Sequence, residues 1–249
     1  MLPVVLAAVA ALLFAQAAIR LRRRGRAGLA GWDRAALFAL GLAITVFALV
    51  GLLDRLADDT LLSAHMAQHV LIGDLAPALM TVAVRGPLLV FLLPAPLLAT
   101  VARSAPVRSA LGTLLRPRVA FGLWAANLAI WHVPYLYDLA LRHQGLHDFE
   151  HVCWVLTGLL VWTLLVDPGS HRRLTTGGRI ALATAMFAAG QVLTDVLVFS
   201  FHSFYPAYHD MRDQQWAGLV MTGEQLLTLG TLAAILLRPR LRRMRLAPA

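Results

Sequence analysis

The sequence predicts an all-α polytopic membrane protein, a seven-transmembrane-helix bundle with its N-terminus outside the cell and its C-terminus inside. Of the 249 residues, 59% are hydrophobic and only 14% are charged, whereas soluble domains carry about 25% charged residues. Apolar runs of about 18 or more residues recur, and each is long enough to cross a bilayer core. The runs are continuous rather than alternating, which excludes a membrane β-barrel. A soluble enzyme, a coiled coil and a disordered protein are excluded as well.

Seven apolar segments are predicted to cross the membrane as one integral membrane domain that covers residues 1–249. The first segment has neither a charged region before it nor an Ala-x-Ala cleavage site, so we expect a retained span rather than a cleaved signal peptide. The seven predicted spans are about 2–19, 35–53, 61–84, 119–135, 147–166, 180–201 and 216–237.

The arginines predict the orientation of these spans. All 22 basic residues are Arg, and arginine-rich loops stay in the cytoplasm. The clusters at 20–26 and 238–245 therefore place the N-terminus outside and the C-terminus inside. The absence of Lys excludes a retinal Schiff base and lysine nucleophiles. The lone cysteine, Cys153, excludes an internal disulfide and a Cys-rich metal site.

A further apolar segment, at about 87–101, is predicted to be re-entrant or interfacial on the cytoplasmic side. It is short and contains Pro94 and Pro96, and arginines follow it. Short apolar runs are more often re-entrant or interfacial than spanning. A full span here would place the next arginine cluster outside, against the positive-inside rule.

Eight of the nine histidines fall at the predicted outer face, and His171 is the exception. His65 and His69 are four residues apart, as are His147 and His151, so each pair projects from one helical face. Neutral imidazole is a good ligand for copper and zinc. The alternative is that single histidines, such as His143 and His209, simply lie at the lipid headgroups. The predicted metal ligands are His65, His69, His132, His147, His151, Glu150 and Met66.

A second polar layer is predicted deeper in the bundle, about 8–14 Å below the outer boundary. Intramembrane carboxylates usually face the bundle interior and mark ion or proton paths. The alternative is a hydrogen-bonded plug that only fixes helix packing. The residues of this predicted layer are Asp74, Asn127, Asp195 and Glu224.

Two other chemistries are compatible with the histidines. The segment His147–His151 matches H-x-x-E-H, a zinc protease signature, but a protease also needs a third protein ligand and a bound water. Bis-histidine haem binding would need His on facing helices. Nucleic-acid, P-loop and dinucleotide-binding motifs are absent from the sequence.

Three ordered motifs carry a family resemblance that covers about residues 61–237. The first is His65-Met-Ala-Gln-His69 followed by Leu75-Ala-Pro77 and Arg85-Gly-Pro87. The second is Trp131-His-Val-Pro-Tyr-Leu-Tyr-Asp138, and the third is His147-Asp-Phe-Glu-His151 with Trp162 after it. Together they resemble the CtaG family, the multi-span assembly factors of cytochrome c oxidase that are associated with caa-type oxidases.

The resemblance implies a non-enzymatic protein of the bacterial plasma membrane that helps mature a haem–copper oxidase at the copper-delivery stage. It implies oxidase subunits and an extracytoplasmic copper donor as partners, within the lipid bilayer and without nucleic acid. The family's His-rich motifs map onto five residues here: His65, His69, His132, His147 and His151. Copper is the expected metal, with zinc or haem less favoured.

The alternative function is a membrane transporter of metal ions or protons. A transporter would need polar residues that continue to the inner face. Below Asp195 and Glu224 only Gln191, Thr184 and Thr228 continue the polar stripe. This scarcity favours a site that is closed at its inner end.

The predicted orientation can be checked with reporter fusions. A reporter at the C-terminus should be active only inside the cell, because arginines 238–245 hold that end in the cytoplasm. A reporter inserted at Gln144 should be active only outside. The reverse pattern at either position would contradict the topology.

Overall fold

The computed structural model describes residues 2–208 and 210–246, with the side chains of 58, 59 and 239–246 left aside. In the described ranges, 84% of the residues are helical and none forms a strand. The all-α prediction is therefore confirmed for these ranges. The helices are α1 Leu2–Arg23, α2 Trp32–Leu49, α3 Leu52–Asp59, α4 Leu62–Val70, α5 Ala76–Ala83, α6 Pro87–Leu92, α7 Ala95–Arg103, α8 Ala105–Leu114, α9 Pro117–Trp131, α10 Pro134–Arg142, α11 Gln144–Val166, α12 Thr176–Phe199 and α13 Met211–Leu246.

Six helical segments in the described ranges are long and apolar enough to cross a membrane, and a bent helix pair brings the number to seven. The six are Leu2–Arg23, Ala27–Leu49, Leu62–Ala83, Gln144–Val166, Thr176–Phe199 and Met211–Arg238. The chain is therefore a multi-span membrane protein.

The fourth predicted span, 119–135, differs from the structure. Helix α9 ends at Trp131, and the chain turns by 76° into α10. Pro134 opens α10, and proline disfavours helical geometry in the residue before it. Val133 is accordingly extended, with ψ of 119°. With 15 residues, α9 is about 22 Å long, which is shorter than a hydrocarbon core.

The segment at about 87–101 folds into two short helices, α6 and α7, separated by an extended residue at Leu93. Neither is long enough to span. The break leaves backbone carbonyls without helical partners, and Gln16 of α1 donates to two of them, at Phe91 (2.7 Å) and Leu92 (2.8 Å). This satisfies polar backbone groups that would otherwise be costly in lipid. Its insertion as a re-entrant segment stays a prediction.

The histidines of α11 lie near its start, whereas Arg172, Arg173 and Arg179 follow its end. Helix α11 begins beside the histidines and ends at Val166, about 34 Å away. Just beyond this far end, Arg179 forms an ion pair with Asp167 at 3.0 Å. The Gly86 amide also donates to the Pro168 carbonyl here, which joins the loop before α6 to the same end.

Glycines let the central helices approach closely. A Cβ atom at Gly158 of α11 would lie 2.0 Å from the carbonyl oxygen of Gly73, so only glycine fits there. A Cβ at Gly218 of α13 would lie 3.1 Å from the Thr194 carbonyl of α12. Small residues at helix interfaces are the usual way to bring membrane helices together.

A π-helical turn, Leu71–Leu75, connects α4 to α5 at this contact. The Ala76 amide donates to the Leu71 carbonyl, five residues earlier. Pro77 follows and has no amide proton, so the Gly73 carbonyl has no helical donor four residues later. The turn rotates the helix and directs Asp74 toward the bundle interior, where it is buried.

The Gly158 contact generates a stability prediction. Gly158→Ala should lower the melting temperature in detergent, because the new methyl group collides with the Gly73 backbone and overpacking costs about 1–3 kcal/mol. Gly223→Ala is the matched control, since no atom lies within 4 Å of its Cβ position. Equal melting temperatures for the two variants would contradict the role of this contact.

Candidate metal centre

Three imidazoles and one carboxylate meet between α4 and α11. His65 and His69 come from α4, and His147 and Glu150 come from α11. One ligand atom from each of the four lies within 4.8 Å of all the others. We call these four residues the histidine cluster. The third and fifth predicted spans therefore meet at the ends where their histidines lie.

The cluster is sealed from solvent and tightly packed. Each of its four side chains is at most 3% exposed. The rings of His65 and His69 have centroids 4.3 Å apart, and His65 stacks on His147 at 5.2 Å. His69 Nε2 lies 3.4 Å from Glu150 Oε1. The carboxylate is thus directed at an imidazole rather than at solvent.

The donor set fits a transition-metal ion. Within the described residues, His65 Nε2 and His69 Nδ1 are buried without a hydrogen-bond partner, although buried polar atoms are nearly always paired. Imidazole and carboxylate are ligands for copper(II) and zinc. Tetrahedral ligands at about 2.1 Å from zinc lie about 3.4 Å apart. A spread of up to 4.8 Å therefore requires the side chains to close inward around an ion.

Tyr208 determines which nitrogen of His65 carries the proton. Its hydroxyl donates to the carbonyl oxygen of Ala57. A phenol has one proton to give, so its oxygen can only accept from His65 Nδ1, which lies 3.4 Å away. His65 Nδ1 is then the protonated nitrogen, and the lone pair is at Nε2, the orphaned atom. A second residue that fixes the tautomer in this way is a regular feature of metal-binding histidines.

Asp213 of α13 holds the N-terminus of α4. Its carboxylate accepts a hydrogen bond from the Ser63 hydroxyl and lies 3.3 Å from the Ser63 amide. A carboxylate at this place satisfies an amide that has no partner within its own helix, and it opposes the positive end of the helix dipole. The first turn of α4, which carries His65, is thereby anchored to α13.

The other three predicted ligands lie beside the cluster rather than in it. His151 is one turn along α11, with its ring 4.2 Å from that of His147 and 5.5 Å from that of His69. His132 Nδ1 donates to the Leu128 carbonyl (2.8 Å), and its Nε2 lies 3.3 Å from Met66 Sδ. The structure thus separates a His/Glu cluster from a neighbouring imidazole–thioether pair.

Two tyrosines of the loop between α12 and α13, which the sequence motifs do not single out, also contact the histidines. Tyr205 donates to the His132 carbonyl at 3.3 Å, and Tyr208 contacts His65. Burial raises the pKa of Tyr205, so its phenol remains a donor. The only signal in the sequence was the density of aromatic residues around His202. The other histidines are apart: His143, His171 and His202 are exposed, and His209 is outside the described residues.

A pair of carboxyl groups lies below the cluster, where Asp74 faces Glu224 of α13. Trp162 donates to one oxygen of Asp74, and the Thr228 hydroxyl lies 3.4 Å from the other. A small cavity of about 30 Å³, lined by both carboxyl groups, extends upward to His69, His132 and Met66. That volume is about one water molecule.

Two residues of the predicted polar layer, Asp195 and Asn127, do not join the carboxyl pair. Asp195 is exposed on α12, because Thr194 occupies the buried face and the next residue turns about 100° away. Asn127 is buried, but it accepts a hydrogen bond from Trp131 Nε1 at 3.0 Å on its own helix. Thr228 and Trp162 complete the layer in their place.

The chain matches the family model of the cytochrome c oxidase caa3 assembly factor (Caa3_CtaG) over residues 12–243. The protein belongs to this family. The resemblance found in the three motifs is therefore confirmed. The family model describes assembly factors of the caa3-type cytochrome c oxidase.

Two curated relatives are similar over most of this chain. They are Uncharacterized protein Mb0105 of Mycobacterium bovis and Uncharacterized protein MT0111 of Mycobacterium tuberculosis, each 30% identical over 208 residues. The aligned region is 79% of this chain but 29% of each relative. The chain thus spans less than a third of the length of these relatives. No solved structure matches it.

A double variant distinguishes two roles of the carboxyl pair, which are to stabilise helix packing or to conduct ions or protons. The double variant Asp74→Asn, Glu224→Gln should leave oxidase maturation largely intact and change the melting temperature, because the new amides can hydrogen-bond across the contact between the helices. Oxidase activity and thermal unfolding are measured on the same preparations. Lost maturation with unchanged melting would instead indicate an ion or proton path.

Proposed function

We propose that this protein binds a copper ion at the histidine cluster and serves the copper-loading stage of cytochrome c oxidase assembly, without catalysing a reaction. One observation carries the proposal: His65, His69, His147 and Glu150 converge from two helices with their ligand atoms within 4.8 Å of one another. A single helix rarely completes a coordination sphere of four ligands. The close contact at Gly158 brings α11, which carries His147 and Glu150, next to α4.

The neighbouring pair supports copper over zinc. His132 Nε2 and Met66 Sδ are 3.3 Å apart, and both border the small cavity that reaches His69. Thioether ligands favour copper(I), whereas imidazole and carboxylate also hold copper(II). The His/Glu cluster and the imidazole–thioether pair thus differ in ligand softness. Such neighbouring sets suit a metal that changes its oxidation state when it passes from one protein to another.

The position of the cluster supports an extracytoplasmic role. The cluster lies at the end of the bundle opposite Arg179 and the other arginines of that end. The positive-inside rule assigns the arginine end to the cytoplasm, which turns the cluster toward the outer face of the bacterial plasma membrane. An extracytoplasmic copper donor and the oxidase subunits would meet the protein there.

Other functions have less support. A transporter needs a continuing polar path, but Trp162 and Thr228 close the floor of the cavity against Asp74. A haem between histidines needs separated rings, but His65 contacts both His69 and His147 directly. A protease needs access for a peptide, and Glu150 is 1% exposed.

Metal analysis of the full-length protein in detergent tests the proposal. The wild type should bind about one copper ion per chain. His69→Ala should abolish most of the affinity, because it removes a central ligand, and adding His147→Ala should cost little more, since ligands of one ion act together. His143→Ala is the matched control, because His143 is exposed and outside the cluster. Copper binding that survives in the double variant would overturn the proposal.

Two further measurements refine the same experiment. Tyr208→Phe should weaken copper binding about tenfold, within the range of outer-shell substitutions, because His65 loses the oxygen that fixes its tautomer. Tyr135→Phe is its control, since that ring is 73% exposed. Affinity should also fall toward acid pH, since protons compete with the ion for imidazole nitrogen. An affinity that does not depend on pH would contradict histidine ligation.

A further inference from the structure

An apolar groove of about 600 Å³ runs between α9 and α12 on the surface of the bundle. Its walls are small or branched side chains, and Val192 and Val196 are 69% and 47% exposed. The groove exists because alanines face each other across these helices and cannot fill the space between them. The residues that matter here are Ala125, Ala129, Ala189, Val192, Val196 and His132.

A carboxylate lies one helical turn from a groove residue, although it does not itself line the groove. Asp195 is exposed on α12, next to Val192 on the helix surface and about 6 Å before the helix ends at Phe199. No side chain of the described residues donates a hydrogen bond to it or pairs with it. A charged side chain on the outer surface of a membrane helix is costly. A cation or hydrogen-bond donor from another chain would remove that cost.

His132 separates the groove from the metal site. It lines the groove on one side and, on the other, the small cavity that contains Met66, His69 and Glu224. Leu128 lines both spaces as well. The wall between the outer surface and the cavity is therefore one side chain thick at His132. A chain that occupied the groove would touch a residue in contact with Met66.

We propose that this groove is the docking site for a transmembrane helix of the client oxidase, one with small apolar residues facing the alanines and a cation or amide opposite Asp195. Close packing on small residues and hydrogen bonds between helices are the forces that join helices in lipid. The carboxylate provides the complementary charge, and the wall at His132 brings the client beside the site that loads it. The identity of the occupant rests on the proposed function.

Photo-cross-linking in intact membranes tests the docking site. A photoreactive residue replaces Val192 in the full-length protein, in cells that make the oxidase. The control replaces Ile130, which is 49% exposed but lies on the far side of α9 from the groove. The expected result is a cross-link from 192, absent from 130, to an oxidase membrane subunit identified by mass spectrometry. Cross-links to lipid alone, to a second copy of this chain or to an unrelated protein would overturn the proposal.

A steric variant gives an independent measurement. Ala129→Phe fills the groove, and it should lower the yield of copper-loaded oxidase at limiting copper about tenfold, the effect of a loss of about 1.4 kcal/mol in docking. The control Ile130→Phe should leave that yield unchanged. Asp195→Asn should weaken the Val192 cross-link, and Asp195→Glu should retain it. Unchanged oxidase loading in Ala129→Phe would overturn the docking site.

The two proposals fail in different ways. Copper binding by the purified protein requires the histidine cluster and no partner, so Ala129→Phe should bind copper like the wild type. Cross-linking from 192 requires the groove and no metal. Intact copper binding without the cross-link would overturn the docking site alone. A specific cross-link from a protein that binds no copper would overturn the copper site and support the groove.

Discussion

The contact between the backbones of Gly158 and Gly73 is the constraint on which the site depends. Helices α4 and α11 each carry two histidines, but four side chains can converge only if the helix axes are unusually close. The position of Gly158 leaves no space for a Cβ atom, and Pro77 leaves the Gly73 carbonyl without its helical donor. The π-helical turn at Leu71–Leu75 then directs Asp74 inward. One local irregularity thus positions both the histidine cluster above it and the carboxyl pair below it.

Long-range hydrogen bonds from α13 and the loop before it also position the cluster. Asp213 anchors the first turn of α4, and Tyr208 reaches from the loop before α13 to His65. Among the described residues, His65 Nε2 and His69 Nδ1 remain buried without a hydrogen-bond partner. A bundle that seals such atoms from water incurs a desolvation cost unless an ion or a water molecule satisfies them. The cluster therefore combines buried ligand atoms with a desolvation cost that an ion would remove. The proposed copper role is based on this combination.

His132 joins three features at one end of the bundle. It lies at the break between α9 and α10, two residues before Pro134 opens α10. Its ring contacts Met66, its carbonyl accepts from Tyr205, and its outer surface lines the groove. The end of α9 thus places one residue in contact with the Met66 thioether, the Tyr205 phenol and the groove.

The sequence by itself determined the fold class, the apolar helices and the family, because hydropathy over a span and motif order are local properties. It also determined that His65 and His69, and likewise His147 and His151, share a helical face, since four residues are about one turn. Only the tertiary structure decided that Glu150 joins the cluster while His132 pairs with Met66, and that Tyr208 contacts a histidine 143 residues away. Asp195 was misplaced for a related reason. In a membrane both the lipid-facing and the buried surfaces of a helix are apolar, so periodicity does not reveal how a helix is rotated. That rotation depends on contacts with neighbouring helices, and no local sequence pattern contains them.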